Sequence, residues 1–274
     1  MSAPATSRVR SALPSRTAIL RLNLERVRER LAAAARGCGR TSRDVQLVAV
    51  TKSVGPDVAL ELARELARTG ERTIELGENR AEQLEAKVAG FQASHEAFAA
   101  AVHWNMIGHL QRNKARRVAA VAHAVHSVDS ERLAQTLERL AAEFGRELDL
   151  YLEVELTGLP TRSGLRPDEL LELCQRGLEL RHTRLRGLMT MAAPDPLARP
   201  GELATQDNAR RTFAQLRELG ERLPRERFVD GRVELSMGMS DDLEAAVAEG
   251  ATRVRIGSAL FEGLSSADAP EERA

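Results

Sequence analysis

The chain is poor in aromatic residues and has no charge excess of either sign, and both shortages exclude classes of function. Aromatic residues make up 3% of the sequence, with one Trp and one Tyr, so platforms that stack nucleic-acid bases are not expected. The 40 basic residues balance 40 acidic ones, which argues against a general binder of nucleic acids or membrane surfaces. No apolar run reaches the length of a membrane span. We therefore expect neither nucleic acid nor membrane as a partner.

Cysteine is also scarce, and histidine has no metal-ligand pattern. The two cysteines, Cys38 and Cys174, lie too far apart to form a motif of metal-ligand or redox spacing. This usage fits a reducing compartment, and we expect a cytoplasmic protein. Only His123 and His126 approach metal-ligand spacing, but residues three apart on a strand point to opposite faces. The sequence therefore predicts no metal site.

Lysine is much rarer than arginine in this chain, and its few positions bear on the chemistry that the protein could perform. Only three of the 40 basic residues are lysines, namely Lys52, Lys87 and Lys114. A lysine amine can lose its proton and attack a carbonyl, whereas a guanidinium stays charged and forms no Schiff base. Lys52 directly follows the apolar run 47–51, the end of a predicted buried strand. Because the other 37 basic residues are arginines, Lys52 is either one of a few lysines left by chance or a lysine whose amine is needed for chemistry.

Eight apolar strand candidates alternate with amphipathic helix candidates between residues 46 and 256, after one further helix over 17–36. Such alternation implies parallel strands with right-handed crossovers. Eight units fit a (β/α)8 barrel, whose usual size is ~250 residues. The alternative is an open doubly wound sheet, although no Gly-x-Gly-x-x-Gly fingerprint supports it. We predict an α/β fold: a single (β/α)8 TIM barrel with an extra N-terminal helix over 16–264, between disordered tails at 1–15 and 265–274.

Lys52 and two predicted turns meet at one end of such a barrel, because active sites form at the C-terminal ends of the strands. Ser240 follows the seventh strand, and Gly257-Ser258 follow the eighth. Free N–H groups at helix starts bind anions, and these two loops commonly bind phosphate. A lysine with a cup for one phosphate describes a pyridoxal 5'-phosphate (PLP) pocket. It equally describes a Schiff-base aldolase acting on a sugar phosphate, and spacing leaves both open.

The last predicted strand carries two arginines on one face. Arg253 and Arg255 are two residues apart, so their side chains share a side of the strand. Either both form salt bridges at the surface or rim, or Arg255 points at the ligand. The pattern alone does not decide between these interpretations.

A series of motifs along the chain is typical of one family. They are Val48-Ala49-Val50-Thr51-Lys52, Gly77-Glu78-Asn79, Trp104 with Ile107-Gly108, Leu110-Gln111 and Asn113-Lys114, His126-Ser127-Val128-Asp129, Gly187-Leu188-Met189, Leu235-Ser236-Met237-Gly238-Met239-Ser240-Asp241-Asp242 and Val254-Arg255-Ile256-Gly257. In this order and spacing, over about residues 17–263, they resemble the PLP homeostasis proteins of the YggS/PROSC type. That family is related to the N-terminal barrel of alanine racemase.

The resemblance implies a PLP site. Lys52 would carry PLP as an internal aldimine, Ser240, Gly257 and Ser258 would hold its phosphate, Arg255 would lie near the pyridine nitrogen, and Asn79 near the ring. Lys114 belongs to a family motif, whereas Lys87 does not and is expected at the surface.

Four positions depart from the family pattern. Asn105 stands where a His usually follows Trp104, and Glu155 stands where an Asn usually ends the fifth strand. Arg162 replaces a usual Lys, and Glu262 interrupts a usual Phe-Gly ending. Asn105 and Glu155 are expected to face the pocket, while the phosphate cup and Lys52 match the pattern.

The resemblance and the chain's own residues favour a carrier over an enzyme. Alanine racemases of this type add a β-domain with a catalytic Tyr, and only about ten residues follow the last predicted element here. Tyr151, the single tyrosine, opens the fifth strand at the wrong end for a strand-end acid. An arginine at the pyridine nitrogen would weaken the ring as an electron sink. We expect a monomeric protein of PLP homeostasis that hands PLP to apoenzymes, with a weak amino-acid racemase or the aldolase as alternatives.

Overall fold

The computed structural model describes residues 14–70, 73–94, 97–192 and 206–264 of the 274-residue chain. Residues 1–13 and 265–274, which make up most of the two predicted tails, lie outside the described residues, as does segment 193–205 before the helix that follows the sixth strand.

Eight parallel strands of the described ranges close into a barrel in chain order. They are β1 (Gln46–Val50), β2 (Ile74–Glu78), β3 (Val102–Met106), β4 (Ala124–Val128), β5 (Leu148–Glu153), β6 (Thr183–Met189), β7 (Glu234–Ser236) and β8 (Arg253–Ile256). The barrel closes where β1 pairs with β8, with Val48 beside Arg255. The eight predicted strands and the TIM-barrel fold are confirmed, and the open doubly wound sheet is wrong because its first and last strands would not pair.

Helices cover the outside of the barrel. They are α1 (Arg16–Gly37), α2 (Pro56–Ala67), α3 (Ala81–Ala93), α4 (Ala115–Val121), α5 (Glu131–Phe144), α6 (Pro167–Arg176), α7 (Gln206–Arg222) and α8 (Leu243–Ala248). The predicted helix after β8 is a single 3-10 turn, Ser258–Leu260. None of these helices is both long and apolar enough to cross a bilayer.

The extra helix α1 precedes the barrel as predicted and packs against α2 and α8. Ser15 starts it, because its Oγ accepts a hydrogen bond from the Ala18 N–H at 3.2 Å. The buried face of α1 is apolar, with Leu20, Leu24 and Val27, and contains one buried polar residue, Asn23. This helix therefore closes the outer layer beside β1 and β8.

The inside of the barrel contains several charged and polar side chains beside an apolar cluster of Ala124, Tyr151 and Met189, whereas TIM barrels are usually filled by branched apolar side chains. At the N-terminal end, Arg253 Nε lies 2.8 Å from Glu234 Oε2, and Arg253 Nη1 lies 3.2 Å from Glu75 Oε1. The Tyr151 hydroxyl donates to Glu234 Oε2 at 2.6 Å. Arg253 thus forms salt bridges inside the barrel rather than at its surface, and Tyr151 reaches toward the end opposite the predicted site.

Candidate cofactor site at the C-terminal mouth of the barrel

Lys52 lies at the C-terminal mouth, two residues after β1 ends at Val50. Strand pairing continues one residue beyond β1, because the Thr51 N–H donates to the Gly77 carbonyl at 2.9 Å. Lys52 then lies in the turn that the Val54 N–H closes onto the Thr51 carbonyl at 3.1 Å. The side chain of Lys52 is exposed, and it forms no hydrogen bond or ion pair with the described residues. The direction of the Lys52 side chain is therefore set by the backbone at residues 51 and 52.

That backbone is held by a buried lysine. Lys87 on α3 donates from Nζ to the Thr51 carbonyl at 2.6 Å and pairs with Glu78 Oε1 at 2.5 Å. The Thr51 hydroxyl donates to the same Glu78 oxygen at 2.5 Å. The expectation that Lys87 lies at the surface is wrong, since it is 3% exposed.

The reason is the length of α3, which runs beyond Lys87 to Ala93. Lys87 consequently lies in the middle of the helix, on the face that Leu84, Val88 and Phe91 bury. Its spacing of three residues from Leu84 and four from Phe91 is the signal in the sequence that marks this face.

The two predicted phosphate turns lie side by side. The Ser240 hydroxyl accepts a hydrogen bond from the Ala259 N–H at 3.4 Å, which links the turn after β7 to the turn after β8. The backbone N–H groups of Ser240, Gly257 and Ser258 form no hydrogen bond with any described residue. These three donors are therefore free to meet an anion, as backbone N–H groups at helix starts do.

Gly257 brings this turn against the end of β1. A Cβ added at Gly257 would lie 3.3 Å from the Val50 carbonyl oxygen and 3.4 Å from Val50 Cβ. Because Lys52 follows Val50 by two residues, this close approach places the turn at 257–258 beside the strand end that carries the lysine. The three predicted elements of the site thus share one side of the mouth.

Helix α1 holds both turns from outside, a contribution that sequence reasoning missed. Arg30 donates to the Ser240 carbonyl at 3.0 Å. Asn23 Nδ2 donates to the carbonyls of Leu260 at 3.2 Å and Glu262 at 2.8 Å. Because the carbonyls are bound from outside, the turns are held without using their N–H groups. A polar Asn23 on an otherwise apolar helix face was the available signal.

Arg255 lies deeper, below the two turns, and is 5% exposed. Its Nη1 donates to the Ser236 carbonyl at 2.7 Å and to the Ser236 hydroxyl at 2.9 Å, and its Nη2 donates to the Thr190 carbonyl at 3.0 Å. A guanidinium has five N–H donors, so two remain without a partner among the described residues. Burial lowers the pKa of Arg255 to about 10, and the group therefore stays charged at neutral pH.

A neutral chain of hydrogen bonds orients Arg255 from inside the barrel. Asn105 uses its amide N–H₂ on Glu75 Oε2 at 2.8 Å, so its Oδ1 accepts from His126 Nε2 at 3.1 Å. The other ring nitrogen, His126 Nδ1, then accepts from the Ser236 hydroxyl at 2.8 Å. Burial holds the pKa of His126 well below its usual value, so the imidazole is neutral.

Asn105 was expected to face the pocket, but its side chain lies in the barrel interior with 1% exposure. It connects Glu75 at the N-terminal end with His126 in the middle. The histidine pair considered for a metal separates as predicted: His126 points inward, and His123 stacks on His103 with ring centroids 4.6 Å apart.

Asn79 lies half-buried after β2 and lines a cleft of about 180 Å³. The other lining residues are Arg80, Ala81, Glu82, Met106, His109, Leu110, Gln111 and Lys114. The loop after β3 reaches this cleft because position 108 is glycine: a Cβ there would lie 2.3 Å from the Asn79 carbonyl oxygen. The family-like Ile107-Gly108 motif therefore packs directly on the residue expected beside the ring.

Two glutamates after Tyr151 behave in opposite ways. Burial raises the pKa of Glu153 to about 7, with the negative charge of Asp129 adding to the effect. Glu155 was expected to face the pocket, yet its carboxylate binds the N–H groups of Thr157 at 2.6 Å and Gly158 at 3.1 Å. Burial opposes ionisation of Glu155, but the hydrogen bonds from the Thr157 hydroxyl and from these two N–H groups outweigh it and lower its pKa. Glu155 therefore organises its own loop.

Among the described residues, the mouth offers the exposed, unpaired amine of Lys52, the three backbone N–H donors of the two turns and the buried guanidinium of Arg255 with two spare donors. The backbone donors fit a single phosphate group. The guanidinium fits an acceptor atom such as an unprotonated ring nitrogen. The amine fits a carbonyl. The donor set is thus suited to a molecule that combines a phosphate, an aldehyde and a pyridine ring.

Comparison with known proteins identifies the family. The alanine racemase N-terminal domain model matches residues 22–265. The pyridoxal phosphate homeostasis protein of Pseudomonas aeruginosa is 40% identical over 242 residues, which cover 87% of this chain and 93% of that protein. This chain belongs to the pyridoxal phosphate homeostasis protein family.

Solved structures agree with that membership. PipY of Synechococcus elongatus, a structure with PLP bound, superposes on this homeostasis protein with a TM-score of 0.69 at 34% identity, covering 88% of this chain and 99% of PipY. An alanine racemase of Clostridium difficile superposes with a TM-score of 0.60 at 18% identity, covering 92% of this chain and 59% of the racemase. The racemase shows a shared fold, and the predicted family resemblance is confirmed by the closer relatives.

Proposed function

We propose that this homeostasis protein binds PLP at the C-terminal mouth, holds it reversibly as a Schiff base on Lys52 and releases it to apoenzymes. The observation that carries the proposal is the packing of the turn at Gly257 against Val50. This contact brings N–H groups that have no partner among the described residues next to the strand end that bears Lys52. The PLP-bound relative of the same family supports this choice of ligand.

The phosphate is assigned to the two linked turns. The N–H groups of Ser240, Gly257 and Ser258 are without partners in the described chain, and an anion satisfies such donors at low cost. Arg30 and Asn23 hold the turns through their carbonyls. The phosphate is therefore met by preorganised donors, which require little rearrangement on binding.

The ring nitrogen is assigned to Arg255. A charged guanidinium only donates hydrogen bonds, so a ring nitrogen beside it must accept one and stays unprotonated. The PLP ring then withdraws electrons weakly, which disfavours the carbanion chemistry of a racemase. Asn79 follows β2, which pairs with β1 on the side away from β8, and it is assigned to the ring edge.

The bond to Lys52 is reversible without any other reactant. Neutral Nζ adds to the aldehyde carbon, the aldehyde oxygen leaves as water, and a C=N bond replaces C=O with no change of oxidation state. Water reverses the reaction and restores both partners. An exposed Lys52 at an open mouth suits this exchange and suits a store of PLP.

The first prediction tests the assignment of Lys52. Purified protein incubated with PLP is expected to develop a visible absorbance band that borohydride reduces and traps. Peptide mapping is expected to find the trapped adduct on Lys52, and not on Lys87 or Lys114. Lys52→Ala is expected to lose the band completely while still binding inorganic phosphate. An unchanged band in Lys52→Ala would overturn the assignment.

The same preparation separates the alternative functions. The weak racemase lacks support because the single tyrosine, Tyr151, is bonded to Glu234 inside the barrel and supplies no acid to the mouth. It would still reveal itself by loss of optical rotation of alanine. The sugar-phosphate aldolase would develop no band with PLP. Delivery is measured as the activation of a PLP-free enzyme by loaded wild type, with loaded protein reduced by borohydride as the control.

A further inference from the structure

Thr51, the residue before Lys52, has every polar atom bound. Its N–H donates to the Gly77 carbonyl at 2.9 Å, and its hydroxyl donates to Glu78 Oε1 at 2.5 Å. Its carbonyl accepts from Val54 N–H at 3.1 Å and from Lys87 Nζ at 2.6 Å. The Thr51 carbonyl and the Lys52 N–H belong to one rigid peptide plane. The direction in which Lys52 leaves β1 is therefore set by these bonds.

We propose that Lys87 is a positioning residue that aims Lys52 at the PLP aldehyde, an inference that rests on the proposed function. Lys52 occupies the second position of the tight turn 51–54, whose first carbonyl carries the ammonium of Lys87. Glu78, at the end of β2, holds that ammonium in place. Lys87 and Glu78 thereby tie the turn to both α3 and β2.

The choice of lysine at position 87 agrees with this role. The chain uses arginine for 37 of its 40 basic residues, yet a lysine stands in this site. The site is closed, since Lys87 is 3% exposed and Glu78 is fully buried. A compact ammonium reaches the Thr51 carbonyl and Glu78 Oε1 at the same time, whereas a planar guanidinium needs more room.

The burial of the pair also indicates that it serves more than stability. A buried ion pair gains little over apolar side chains of the same volume, because desolvation offsets the Coulomb attraction. Burial lowers the pKa of Lys87, and the charge of Glu78 opposes that effect. One Glu78 oxygen, Oε2, is buried without a hydrogen-bond partner in the described chain. The ammonium of this pair binds the Thr51 carbonyl, directly before Lys52. The geometry that this bond imposes on Lys52 explains why a buried pair of little stabilising value is present.

The test compares condensation with simple binding. Lys87→Met is expected to reduce the equilibrium constant for forming the borohydride-reducible adduct on Lys52 on the order of 10- to 100-fold, as misplacement of a reacting group does. Binding of pyridoxine 5'-phosphate, which has the phosphate and ring but no aldehyde, is expected to stay at the wild-type value. That split would not arise from a general loss of structure.

Two further variants keep the test decisive. If Lys87→Met does not fold, the double variant Glu78→Gln with Lys87→Met gives the answer, because it removes both buried charges together. Glu65→Gln is the matched control: Glu65 is 5% exposed and pairs with Arg21 on α1, away from Thr51. It is expected to lose stability without any change in adduct formation.

Two results would overturn the role of Lys87. One is a folded variant that forms the adduct with the wild-type constant. The other is an equal loss of adduct formation and of pyridoxine 5'-phosphate binding, which would make Lys87 a structural residue only. Failure of the proposed function is recognised separately, since Lys52→Ala would then keep the reducible band.

Discussion

The two ends of the barrel interior contain similar residues but use them in different ways. At the N-terminal end, Arg253 is shared by Glu75 and Glu234, and Tyr151 binds Glu234 as well. At the C-terminal end, Arg255 keeps two N–H donors that no described residue accepts. Buried polar groups in proteins are almost always paired. We therefore infer that the paired end stabilises the fold and that the end with spare donors binds the ligand of the proposed function.

The groups between the two ends are uncharged. His126, Ser236 and the amide of Asn105 form one chain of hydrogen bonds from Glu75 to Arg255. Burial keeps the pKa of His126 far below its usual value, so no charge enters this chain near neutral pH. This uncharged chain separates the salt bridges of Arg253 at the N-terminal end from Arg255 at the C-terminal end, although the two arginines are only two residues apart on β8.

The largest change in the free energy of unfolding is expected from removing Arg253 at the N-terminal end of the barrel interior. Arg253→Met removes the cation that Glu75, 7% exposed, shares with Glu234, whose side chain is 25% exposed, and we expect a loss of about 2–4 kcal/mol in the free energy of unfolding. Affinity of the folded variant for pyridoxine 5'-phosphate should be unchanged, because the mouth is not altered. Urea denaturation and equilibrium dialysis measure the two quantities.

The control for that variant is Arg184→Met. Arg184 pairs with Glu147 and Asp149 but is 42% exposed, so we expect a loss of less than about 1 kcal/mol. A loss of ligand affinity in Arg253→Met as large as its loss of stability would contradict the division between the two ends.

A smaller, pH-dependent effect is expected at Glu153. Its folded pKa of about 7 exceeds the ordinary 4.5, so the folded state holds the proton more tightly. The stability from the protonated carboxyl is fully present below pH 4.5 and is lost as the pH rises through about 7. Glu153→Gln is neutral throughout and should therefore be more stable than wild type above that pH, by about 1–3 kcal/mol.

The groups that act on Glu153 are Asp129, Arg255, Ser163 and Arg162. The matched variant is Glu155→Gln, because the pKa of Glu155 is lowered by its loop hydrogen bonds despite burial. That change should destabilise the protein at neutral pH, and the difference should fade as the pH falls. Unfolding free energies of the cofactor-free proteins across pH 4 to 9 check both signs; a difference for Glu153→Gln that does not depend on pH would contradict the assignment.

The smallest effect is expected from crowding the phosphate turn. Gly257→Ala adds a Cβ about 3.3 Å from the Val50 carbonyl oxygen, so the turn must shift by a fraction of an ångström. We expect roughly 3- to 10-fold weaker binding of pyridoxine 5'-phosphate, about 1 kcal/mol, with little change in stability. Gly37→Ala is the control, because a Cβ there meets nothing within 4 Å. Equal affinities in the two variants would show that this turn does not contact the phosphate.

Local patterns in the sequence were sufficient for the barrel and for the backbone of the site. Period-two and period-3.6 hydrophobicity predicted the eight strands and their helices, and the strand-end position of Lys52 followed from them. The turns at Ser240 and Gly257 were predicted because Gly and Ser stand where chain order puts strand ends. Each of these inferences needs only residues that are close together in the chain.

Contacts between distant segments escaped that reasoning. Lys87 was assigned to the surface because it belongs to no family motif, and its partners, Thr51 and Glu78, lie 36 and 9 residues away. Asn23 and Arg30 hold the turns after β8 and β7 from more than 200 residues away. Asn105 and Glu155 were expected at the pocket, yet one lies inside the barrel and the other binds its own loop.

The sequence by itself determined which segments become strands and helices, since periodicity and turn residues act over a few positions. It also determined that the strand ends carrying Lys52, Ser240 and Gly257 share one mouth, because parallel strands place their C-termini together. Only the tertiary structure decided which polar groups are paired and which keep spare donors. That outcome depends on barrel closure between β1 and β8 and on the packing of α1 and α3, which bring together side chains that no local pattern connects.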